Sequence, residues 1–381
     1  MHIVYLVNSR WPRIRGAERL LFAFLRYGQS QGHQVSVLAP EVSAVHGVCR
    51  EMGVNSIVAD FSLAPRHIAG LRSALRELRP DAIHGMSIFP VALVRRLRLV
   101  PVAGAVGFFA GVSIDPTSLL PVASKHFRRL RLGVRNTVAR LEAPHLDAIF
   151  PASDTIVQRL ADLGVKGRII SIPGVVDVGR LTAEARLPLD VPEGGPRIGY
   201  AAFIEKLKGI DDLIVAFAEV GKTHPGATLL IAGDGPEKHN LMRLAETLDV
   251  GSRVHFLGFV DPVAPLLAKL DMFVSPSHSE ALSISIMEAM AMGLPCVCTN
   301  VGGTSEVIHD EDTGLLVPAC EPAALAAAID RLLAHPDFAE QLAENGRALV
   351  LAGKYSLSAT LETVFSEYTR VAARRSATAQ G

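Results

Sequence analysis

The sequence predicts an α/β protein with two similar domains, each built on a parallel sheet, and a cleft between them. Its 381 residues are too many for one ordinary core and favour two domains of about 190 residues each. Short β-rich runs alternate with helical stretches along the chain, which is typical of βαβ units and parallel sheets. Near the middle, LPLDVPEGGP (187–196) interrupts this alternation with prolines and glycines, and we interpret it as the domain linker.

Five runs in the first half are typical of buried strands: HIVYLVN, QVSVLA, DAIHG, VPVAGAV and DAIFPAS. Five more follow the linker: RIGYAAF, ATLLIAG, RVHFLGF, DMFVSPS and PCVCTN. Stretches of helical period lie between them, as at residues 17–29 and 211–220. We therefore place the first domain at residues 1–190 and the second at 191–355. Residues 356–381 are predicted to form a C-terminal helix that packs on its own half or crosses back to the first.

Composition and charge narrow the class of protein. Hydrophobic residues make up 49% of the chain and charged residues 20%, which describes a globular protein with a large core. The 38 basic residues balance the 38 acidic ones, so the net charge gives no reason to expect a nucleic-acid partner. The opening run MHIVYLVNSRWP lacks a basic leader and is interpreted as a first strand, not a signal peptide. No apolar run reaches about 18 residues, so we expect no transmembrane helix.

The cysteines indicate the redox compartment. Cys49, Cys296, Cys298 and Cys320 lie at spacings that fit neither a zinc site nor a disulfide scaffold. We therefore expect a reducing cytoplasm. The sequence shows no other cluster of ligands, so we also expect no metal site.

Three loops after predicted strands have features of phosphate-binding turns. Gly16 lies where the first helix opens. Lys208 and Gly209 precede an amphipathic helix, and Gly233 lies in a Gly-Asp-Gly-Pro turn. Helix-terminal N–H groups and a lysine would suit a diphosphate, and ligands of open α/β sheets bind at the carboxyl ends of strands. Taken alone, each loop fits an ordinary turn or a solvated lysine as well.

Two carboxylates, Glu280 and Glu288, lie in the stretch SHSEALSISIMEAMAMG, which has no other acidic residue and no lysine or arginine. A helix is predicted to start near Ser283, with Glu280 in the loop before it and Glu288 on the helix. The amides of Ser283 and Ile284 would point in the same direction as the carboxylates. Carboxylates accept hydrogen bonds from vicinal hydroxyls, and free N–H groups bind phosphates, so the pattern suits a sugar nucleotide.

A simpler interpretation of the same two glutamates stays open on these residues alone. Glu280 would then favour the helix dipole, and Glu288 would form a surface ion pair. The longer context decides between the two interpretations.

Five pieces of the second half occur in a characteristic order and spacing: KGIDDLIVAFA, LLIAGDGPE, RVHFLGFV, DMFVSPSHSEALSISIMEAMAMGLPCVCTNVGGTSEVI and TGLLVP. With them, residues 198–332 resemble the nucleotide-binding half of retaining glycosyltransferases of family 4, which have the GT-B fold. The first half is similar more loosely, through RGAERLLFAF, GHQVSVLAP and RPDAIHG. The resemblance implies an α/β protein with two Rossmann-like domains facing a central cleft.

The resemblance also implies roles for the matching residues. Glu288 would hold the ribose hydroxyls and Glu280 the hydroxyls of the donor sugar. Lys208 would neutralise the diphosphate, and Gly16 would let the backbone approach it. The segment from Gly258 to Val260 would lie near the base. Lys208 and Glu280 are the predicted catalytic residues.

Three positions depart from the family pattern. Phe203 stands where the family often has an arginine, five residues before the lysine, and Lys206 is a nearby substitute. Gly107 stands where a histidine commonly ends the strand after the acceptor-side loop. Gly174-Val175 replaces an Asn-Gly pair. The first two changes would weaken phosphate neutralisation and catalysis.

The chain between residues 95 and 140 is strongly basic, and within that range only Asp115 opposes its charge. The basic residues are Arg95, Arg96, Arg98, Lys125, Arg128, Arg129, Arg131, Arg135 and Arg140. Apolar side chains interleave with part of this run, so the surface could rest on anionic lipid. A solvated helix face, or a patch for an anionic soluble acceptor, fits the same residues.

The resemblance implies a retaining hexosyltransferase that uses a UDP-sugar or GDP-sugar and needs no cofactor or metal. Its acceptor would be a hydroxyl of a lipid-linked or polysaccharide molecule in cell-envelope glycan synthesis, such as lipopolysaccharide. We expect a cytoplasmic protein, either free or peripheral on the inner face of the membrane. Two alternatives stay open: a non-catalytic sugar-nucleotide-binding subunit that supports a partner transferase, and a sugar-nucleotide epimerase of the same fold.

Overall fold

The computed structural model describes residues 1–9, 16–99, 107–112, 137, 140–173, 175–192, 194–280 and 282–379. Contacts divide the chain into two compact units. The first unit comprises Met1–Pro173 and Leu357–Gly381, and the second comprises Gly174–Ser356.

The first unit contains a parallel sheet with the strand order β3-β2-β1-β4-β5-β6. Its strands are β1 (His2–Leu6), β2 (Gln34–Ala39), β3 (Asn55–Val58), β4 (Ala82–Gly85), β5 (Gly107–Val112) and β6 (Ala148–Pro151). The helices of this unit are α1 (Gly16–Ser30), α2 (Val45–Glu51), α3 (Pro65–Leu78), α4 (Ile88–Arg96), α5 (Asp154–Asp162) and the C-terminal α13 (Leu357–Ala379).

Local signals explain where these elements begin and end. All five residues of β1 are buried, as expected for a central strand of a covered parallel sheet. Pro65 opens α3, where its missing N–H costs no helical hydrogen bond, and Arg79 ends it in a left-handed conformation. The Ser153 side chain accepts a 3.2 Å hydrogen bond from the Ile156 N–H and so caps α5.

The second unit repeats the same architecture with the strand order β12-β11-β10-β7-β8-β9. Its strands are β7 (Arg197–Ala201), β8 (Thr228–Ala232), β9 (Val254–Gly258), β10 (Met272–Ser275), β11 (Cys296–Thr299) and β12 (Leu315–Val317). Its helices are α6 (Val178–Glu184), α7 (Ile210–Thr223), α8 (Lys238–Thr247), α9 (Ala264–Leu267), α10 (Ile284–Ala291), α11 (Pro322–Ala334) and α12 (Pro336–Leu351).

Each sheet therefore runs outward in both directions from two central strands, β1 and β4 in the first unit and β7 and β10 in the second. This is the order of doubly wound Rossmann-like folds, in which ligands bind at the carboxyl ends of the strands where the winding reverses. The predicted α/β class, with two Rossmann-like parallel sheets, is confirmed. In the second unit, the loops after β7 and β10 meet at this edge.

Apolar side chains fill both faces of the second sheet. One face packs residues of β7 and β8 against α7 and α11, with Phe217 at its centre. The other face packs α10 residues such as Ile286 and Met287 against β10 and β11. Both faces are covered, which holds the strand ends and the loops that follow them in place.

The C-terminal helix α13 is part of the first core. Leu361, Val364, Phe365, Tyr368 and Val371 are buried in it with residues of β1, α1 and β2. The Phe365 ring lies 4.9 Å from the Tyr27 ring of α1 in an edge-to-face arrangement. The last helical segment therefore packs on the first unit, and not on the strands that precede it in sequence.

The boundary between the units differs from the expected one. The first unit ends at Pro173 rather than at residue 190. The reason is α6, because Val176 and Leu181 are buried in the core of the second unit. The Pro- and Gly-rich segment 187–196 thus lies within the second unit, before β7, and not between the units.

One predicted strand lies outside the described residues, and two strands were not predicted. The run VPVAGAV (100–106) was predicted as a strand and is not among the described residues; the described strand β5 that follows it spans Gly107–Val112. The edge strands β3 and β12 were not predicted. β3 is half exposed and β12 has only three residues, so neither has a long apolar run to reveal it. Within the described part of the chain, no helix is both long and apolar enough to cross a membrane.

Candidate active site

The loop after β7 places a lysine at the carboxyl edge of the second sheet. Lys206–Lys208 form a 3-10 turn, and Gly209 follows with φ 60° as the N-cap of α7. A Cβ at Gly209 would lie 2.1 Å from the Pro276 carbonyl oxygen and 2.9 Å from the His278 ring. Glycine is required here both for its left-handed backbone and for the close approach of the two loops.

Lys208 and Glu280 contact each other. The Lys208 Nζ lies 2.5 Å from the Glu280 Oε2, and both side chains are largely buried. Sequence analysis selected these two residues separately, 72 positions apart. The structure brings them together where β7 and β10 end.

Three hydrogen bonds hold the loop that carries Glu280. The His278 N–H donates to the Leu207 carbonyl at 2.8 Å, which ties this loop to the turn that carries Lys208. The His278 Nε2 bonds the Asp212 Oδ2 at 2.7 Å. The Thr299 hydroxyl of β11 donates to the Ser277 carbonyl at 2.5 Å. The geometry of the Lys208–Glu280 pair is therefore fixed from three sides.

The helix α10 begins where sequence analysis expected it. Ser283 is its N-cap residue, with extended backbone, and Ile284 is its first helical residue. The N–H groups of a first helical turn have no partner within their own helix, so they can bind an anion. These amides follow Glu280 by three and four residues, so an anion-binding helix end lies next to the carboxylate in the chain.

Glu288 lies on α10 with only 6% of its surface exposed. The Arg180 Nη2 of α6 lies 3.8 Å from the Glu288 Oε1, so a cation offsets the cost of burying this carboxylate. Asp177 caps α6, since its Oδ1 accepts a 3.0 Å hydrogen bond from the Arg180 N–H. Arg180 was not predicted as a site residue. The capping residue Asp177 was the sequence signal that a helix starts there.

The glycines after β8 allow another close approach. The Gly233 backbone has φ 151°, and a Cβ there would lie 2.0 Å from the Ala202 carbonyl oxygen. A Cβ at Gly235 would lie 2.1 Å from the Ile204 carbonyl oxygen. This turn therefore packs against the segment that leads from β7 to Lys208, and it supports the lysine loop.

The predicted base-binding segment follows β9. Gly258 ends the strand with φ 74°, and a Cβ there would meet open space. Its carbonyl accepts a 2.7 Å hydrogen bond from the Gly233 N–H, which joins the segment to the neighbouring turn. The Phe259 side chain is 48% exposed, whereas Val260 packs against the core. An exposed ring beside an open glycine can stack on a flat ligand.

A buried phenol lies beneath the pair. Burial raises the pKa of Tyr200 on β7 well above its usual value, and the negative charges of Glu280 and Glu205 raise it further. The Tyr200 hydroxyl has no hydrogen-bond partner among the described residues. The phenol therefore stays neutral at any physiological pH.

The structure shows where two of the positions that depart from the family pattern, Phe203 and Gly107, lie. Phe203 is half-buried between β7 and the 3-10 turn, and Lys206 is exposed. Lys208, not Lys206, is the lysine that contacts Glu280. The placement of Gly107 at the end of a strand was wrong. Gly107 is the first residue of β5 and pairs with Ala82, so it lies at the amino edge of the sheet, opposite the ligand-binding edge.

Gly16 is the first residue of α1 in the first unit. It follows β1, one of the two central strands of that sheet. Its contact with a diphosphate stays a prediction.

The basic region is neutralised at one end. Glu142, which is fully buried, pairs with both Arg95 and Arg96; the Arg95 Nη2 lies 2.6 Å from its Oε2. Two of the nine basic residues thus pair with a buried carboxylate within the first unit, and a lipid-facing role of the region stays a prediction. Arg98 and Arg140 are exposed. The other five basic residues, between 125 and 135, lie outside the described residues.

The sequence of this chain matches known families in both halves. Residues 182–349 match the profile of Glycosyl transferases group 1, and residues 14–180 match that of Glycosyltransferase Family 4. The lipopolysaccharide core biosynthesis glycosyltransferase LpsE of Rhizobium meliloti (strain 1021) is 35% identical over 245 residues, which cover 64% of this chain and 70% of LpsE. N-acetyl-alpha-D-glucosaminyl L-malate synthase of Bacillus anthracis is 38% identical over 145 residues, which cover only 38% of each chain.

Solved structures show the same fold. Sucrose-phosphate synthase from Thermosynechococcus elongatus superposes with a TM-score of 0.81 at 22% identity, covering 98% of this chain and 100% of that structure. HepE from Anabaena, solved in complex with UDP-glucose, superposes with a TM-score of 0.80 at 18% identity, covering 97% and 100%.

The two Rossmann-like units have the GT-B fold, and the family matches show that the chain is a glycosyltransferase. The chain belongs to glycosyltransferase family 4, the glycosyl transferases group 1.

Proposed function

We propose that the protein transfers a hexose, with retention of the anomeric configuration, from a UDP-sugar or GDP-sugar to an acceptor hydroxyl. The acceptor would be a lipid-linked or polysaccharide molecule in cell-envelope glycan synthesis. The observation that carries this proposal is the contact between Lys208 and Glu280 at the carboxyl edge of the second sheet. In this proposal, the cation that binds phosphate lies beside the carboxylate that binds sugar hydroxyls.

The donor fits these groups in order along the edge. The diphosphate would bind Lys208 and the first amides of α10, where the helix dipole favours negative charge. The sugar hydroxyls would donate to Glu280 and the ribose hydroxyls to Glu288. The base would lie over the Gly258–Val260 segment, beside the exposed Phe259 ring. Anabaena HepE, which shares the fold, was solved with UDP-glucose, in support of a nucleotide-sugar donor.

The chemistry needs charge stabilisation more than a protein base. The bond between the anomeric carbon and the phosphate oxygen breaks, and its electron pair stays on the leaving diphosphate. The acceptor oxygen attacks the same face of the sugar and bonds to the anomeric carbon, while its proton moves to the leaving phosphate. Lys208 and the α10 amides stabilise the leaving group. In comparable preorganised sites, one such donor lowers the activation free energy by about 3 kcal/mol. We propose that this positive charge replaces a metal ion or cofactor in the step.

The acceptor is proposed from the relatives. LpsE, which this chain resembles over most of its length, is named for lipopolysaccharide core biosynthesis. Acceptors of that kind are anchored in a membrane, so we propose that the enzyme works at the cytoplasmic face. Binding of the full-length protein to vesicles with and without anionic lipid tests this part separately.

A donor panel tests the transferase proposal. The protein would be incubated with UDP- and GDP-sugars, with and without an envelope extract, and released nucleotide and labelled glycan measured. We expect one donor to be used, with nucleotide release that rises when acceptor is added. Tight donor binding with no turnover would instead indicate a non-catalytic subunit. Interconversion of the donor sugar without acceptor would indicate an epimerase.

A further inference from the structure

A second group of polar side chains lies at the same sheet edge, outside the proposed donor contacts. It consists of Asp212 on the first turn of α7, His278 in the loop after β10, and Cys320 in the turn after β12. One carboxylate oxygen, one ring nitrogen and the thiol sulfur all lie within 4.8 Å of one another. Parallel strands end at one edge, which is why residues far apart in sequence meet here.

We propose that Asp212, His278 and Cys320 form a binding site for one Zn²⁺ ion. A nitrogen, a sulfur and a carboxylate oxygen are the three ligand types that zinc takes in proteins, at about 2.0–2.3 Å each. Donors on one tetrahedral ion lie a few ångströms apart, so the observed separations need only small side-chain rotations. Three protein ligands leave the fourth position for water.

The ligands are held by structure that does not depend on a metal. The His278 N–H bonds the Leu207 carbonyl, and the close fit around Gly209 fixes the His278 ring against α7. The His278 Nε2 already bonds the Asp212 Oδ2 at 2.7 Å, so zinc would replace the shared proton between them. Binding therefore releases protons and strengthens as the pH rises.

Cys320 supplies the thiol of this group from an exposed turn. Its backbone has φ 61°, a conformation that costs a non-glycine residue about 1–2 kcal/mol. Its thiol is exposed, whereas Cys49, Cys296 and Cys298 are buried. Burial raises the pKa of the Cys49 thiol to about 11 and that of Cys296 to about 12. Cys320 is therefore the thiol in this chain that is available to an ion from solvent.

The second unit contains another histidine–aspartate pair that can be compared with His278 and Asp212. His224 and Asp330 form a second histidine–aspartate pair, with Nε2 and Oδ1 3.5 Å apart. Among the described residues, that pair belongs to no three-ligand group of this kind. A histidine–aspartate pair alone offers two ligands, and the added thiol is what makes the first group selective for zinc over magnesium or calcium.

The site departs from the expectation that the chain binds no metal. That expectation used cysteine spacing, but only one ligand is a cysteine, and the others lie 42 and 108 residues before it. Because His278 is two residues from Glu280, an ion here would stiffen the loop that carries that carboxylate. The inference itself does not rest on the proposed transferase reaction.

Metal titration of the reduced, full-length protein tests the site. Chelator-treated protein would be titrated with Co²⁺, followed by competition with Zn²⁺. We expect one Co²⁺ per chain, a thiolate-to-metal charge-transfer absorption, and displacement of Co²⁺ by Zn²⁺. Cys320→Ser should remove the absorption and weaken Zn²⁺ binding at least about tenfold, since even outer-shell changes at zinc sites cost that much.

Two further variants complete the test. Cys320→Gly should also lose the metal while keeping the fold, because glycine accepts the left-handed backbone. His224→Gln is the matched control and should bind Zn²⁺ as the wild type does. Absence of the charge-transfer absorption in the wild type, or equal Zn²⁺ affinity in the wild type and Cys320→Ser, would overturn the proposal. Neither result depends on glycosyl transfer.

Discussion

The Lys208 ammonium nitrogen lies 2.5 Å from a carboxylate oxygen of Glu280, so two groups proposed to hold opposite parts of the donor neutralise each other before it binds. A donor that enters must exchange this contact for new ones. The lysine then gains phosphate oxygens, and the glutamate gains sugar hydroxyls.

Replacement of Lys208 tests whether its positive charge is needed for turnover. Lys208→Met should lower kcat/KM for the donor by about 100-fold or more, because the leaving diphosphate loses its cation. Lys222→Met is the control, since Lys222 lies on α7 and forms an exposed 2.6 Å pair with Glu219. Glu280→Ala should depress turnover with less effect on the affinity for free UDP or GDP. Steady-state kinetics that show equal losses for Lys208→Met and Lys222→Met would contradict the assignment.

Glu288 should govern nucleotide affinity. Removal of its charged hydrogen bonds to ribose in Glu288→Ala should cost about 2 kcal/mol, or roughly 30-fold in Kd. Arg180→Ala should weaken binding less, because it only releases Glu288 from its partner, and Arg180→Lys should restore part of the loss. Calorimetry with UDP and GDP measures all three. Unchanged affinity in Glu288→Ala, in a protein that is still folded, would remove Glu288 from the site.

Gly209 should be intolerant of a side chain. Gly209→Ala imposes the left-handed penalty and a clash with the Pro276 carbonyl, so we expect a loss of about 3 kcal/mol in stability. Gly353→Ala in the same unit, with φ 93° and no atom within 4 Å of the new Cβ, should lose only the backbone part, about 1–2 kcal/mol. Thermal unfolding compares the two. Similar Tm values would show that the loops do not approach each other this closely.

His84 should make the first unit sensitive to acid. Burial lowers the pKa of its ring to about 3, and the ring bonds the Tyr368 hydroxyl of α13. As the pH falls from about 6.5 towards 3, the His84 ring becomes protonated in the unfolded chain but stays neutral in the folded chain. The folded state therefore loses up to about 1.4 kcal/mol of stability per pH unit.

The variant His84→Gln isolates this effect. Its Tm deficit relative to the wild type should shrink between a pH of about 7.5 and about 5, because only the wild type loses stability through this group. A deficit in His84→Gln that stays constant would show that the His84 ring takes up its proton as readily in the folded chain as in the unfolded chain.

Sequence patterns predicted the elements whose residues are buried on both sides, such as β1 and β8, because a short, continuous apolar run between turn residues is typical of a covered strand. They did not predict the edge strands β3 and β12, because β3 is half exposed and β12 has only three residues. In the site, the motif residues Lys208 and Glu280 were found. Arg180 and Cys320 were not, because each contacts its partner only through the folded sheet.

The place of α13 has a consequence for synthesis of the protein. Its side chains fill the core built by β1 and α1, yet they are the last part of that core to be translated. On the ribosome, the second unit can finish before the first, which must wait with an open apolar surface until the tail emerges. The amino-terminal half can therefore close its core only after the later-made half has been synthesised.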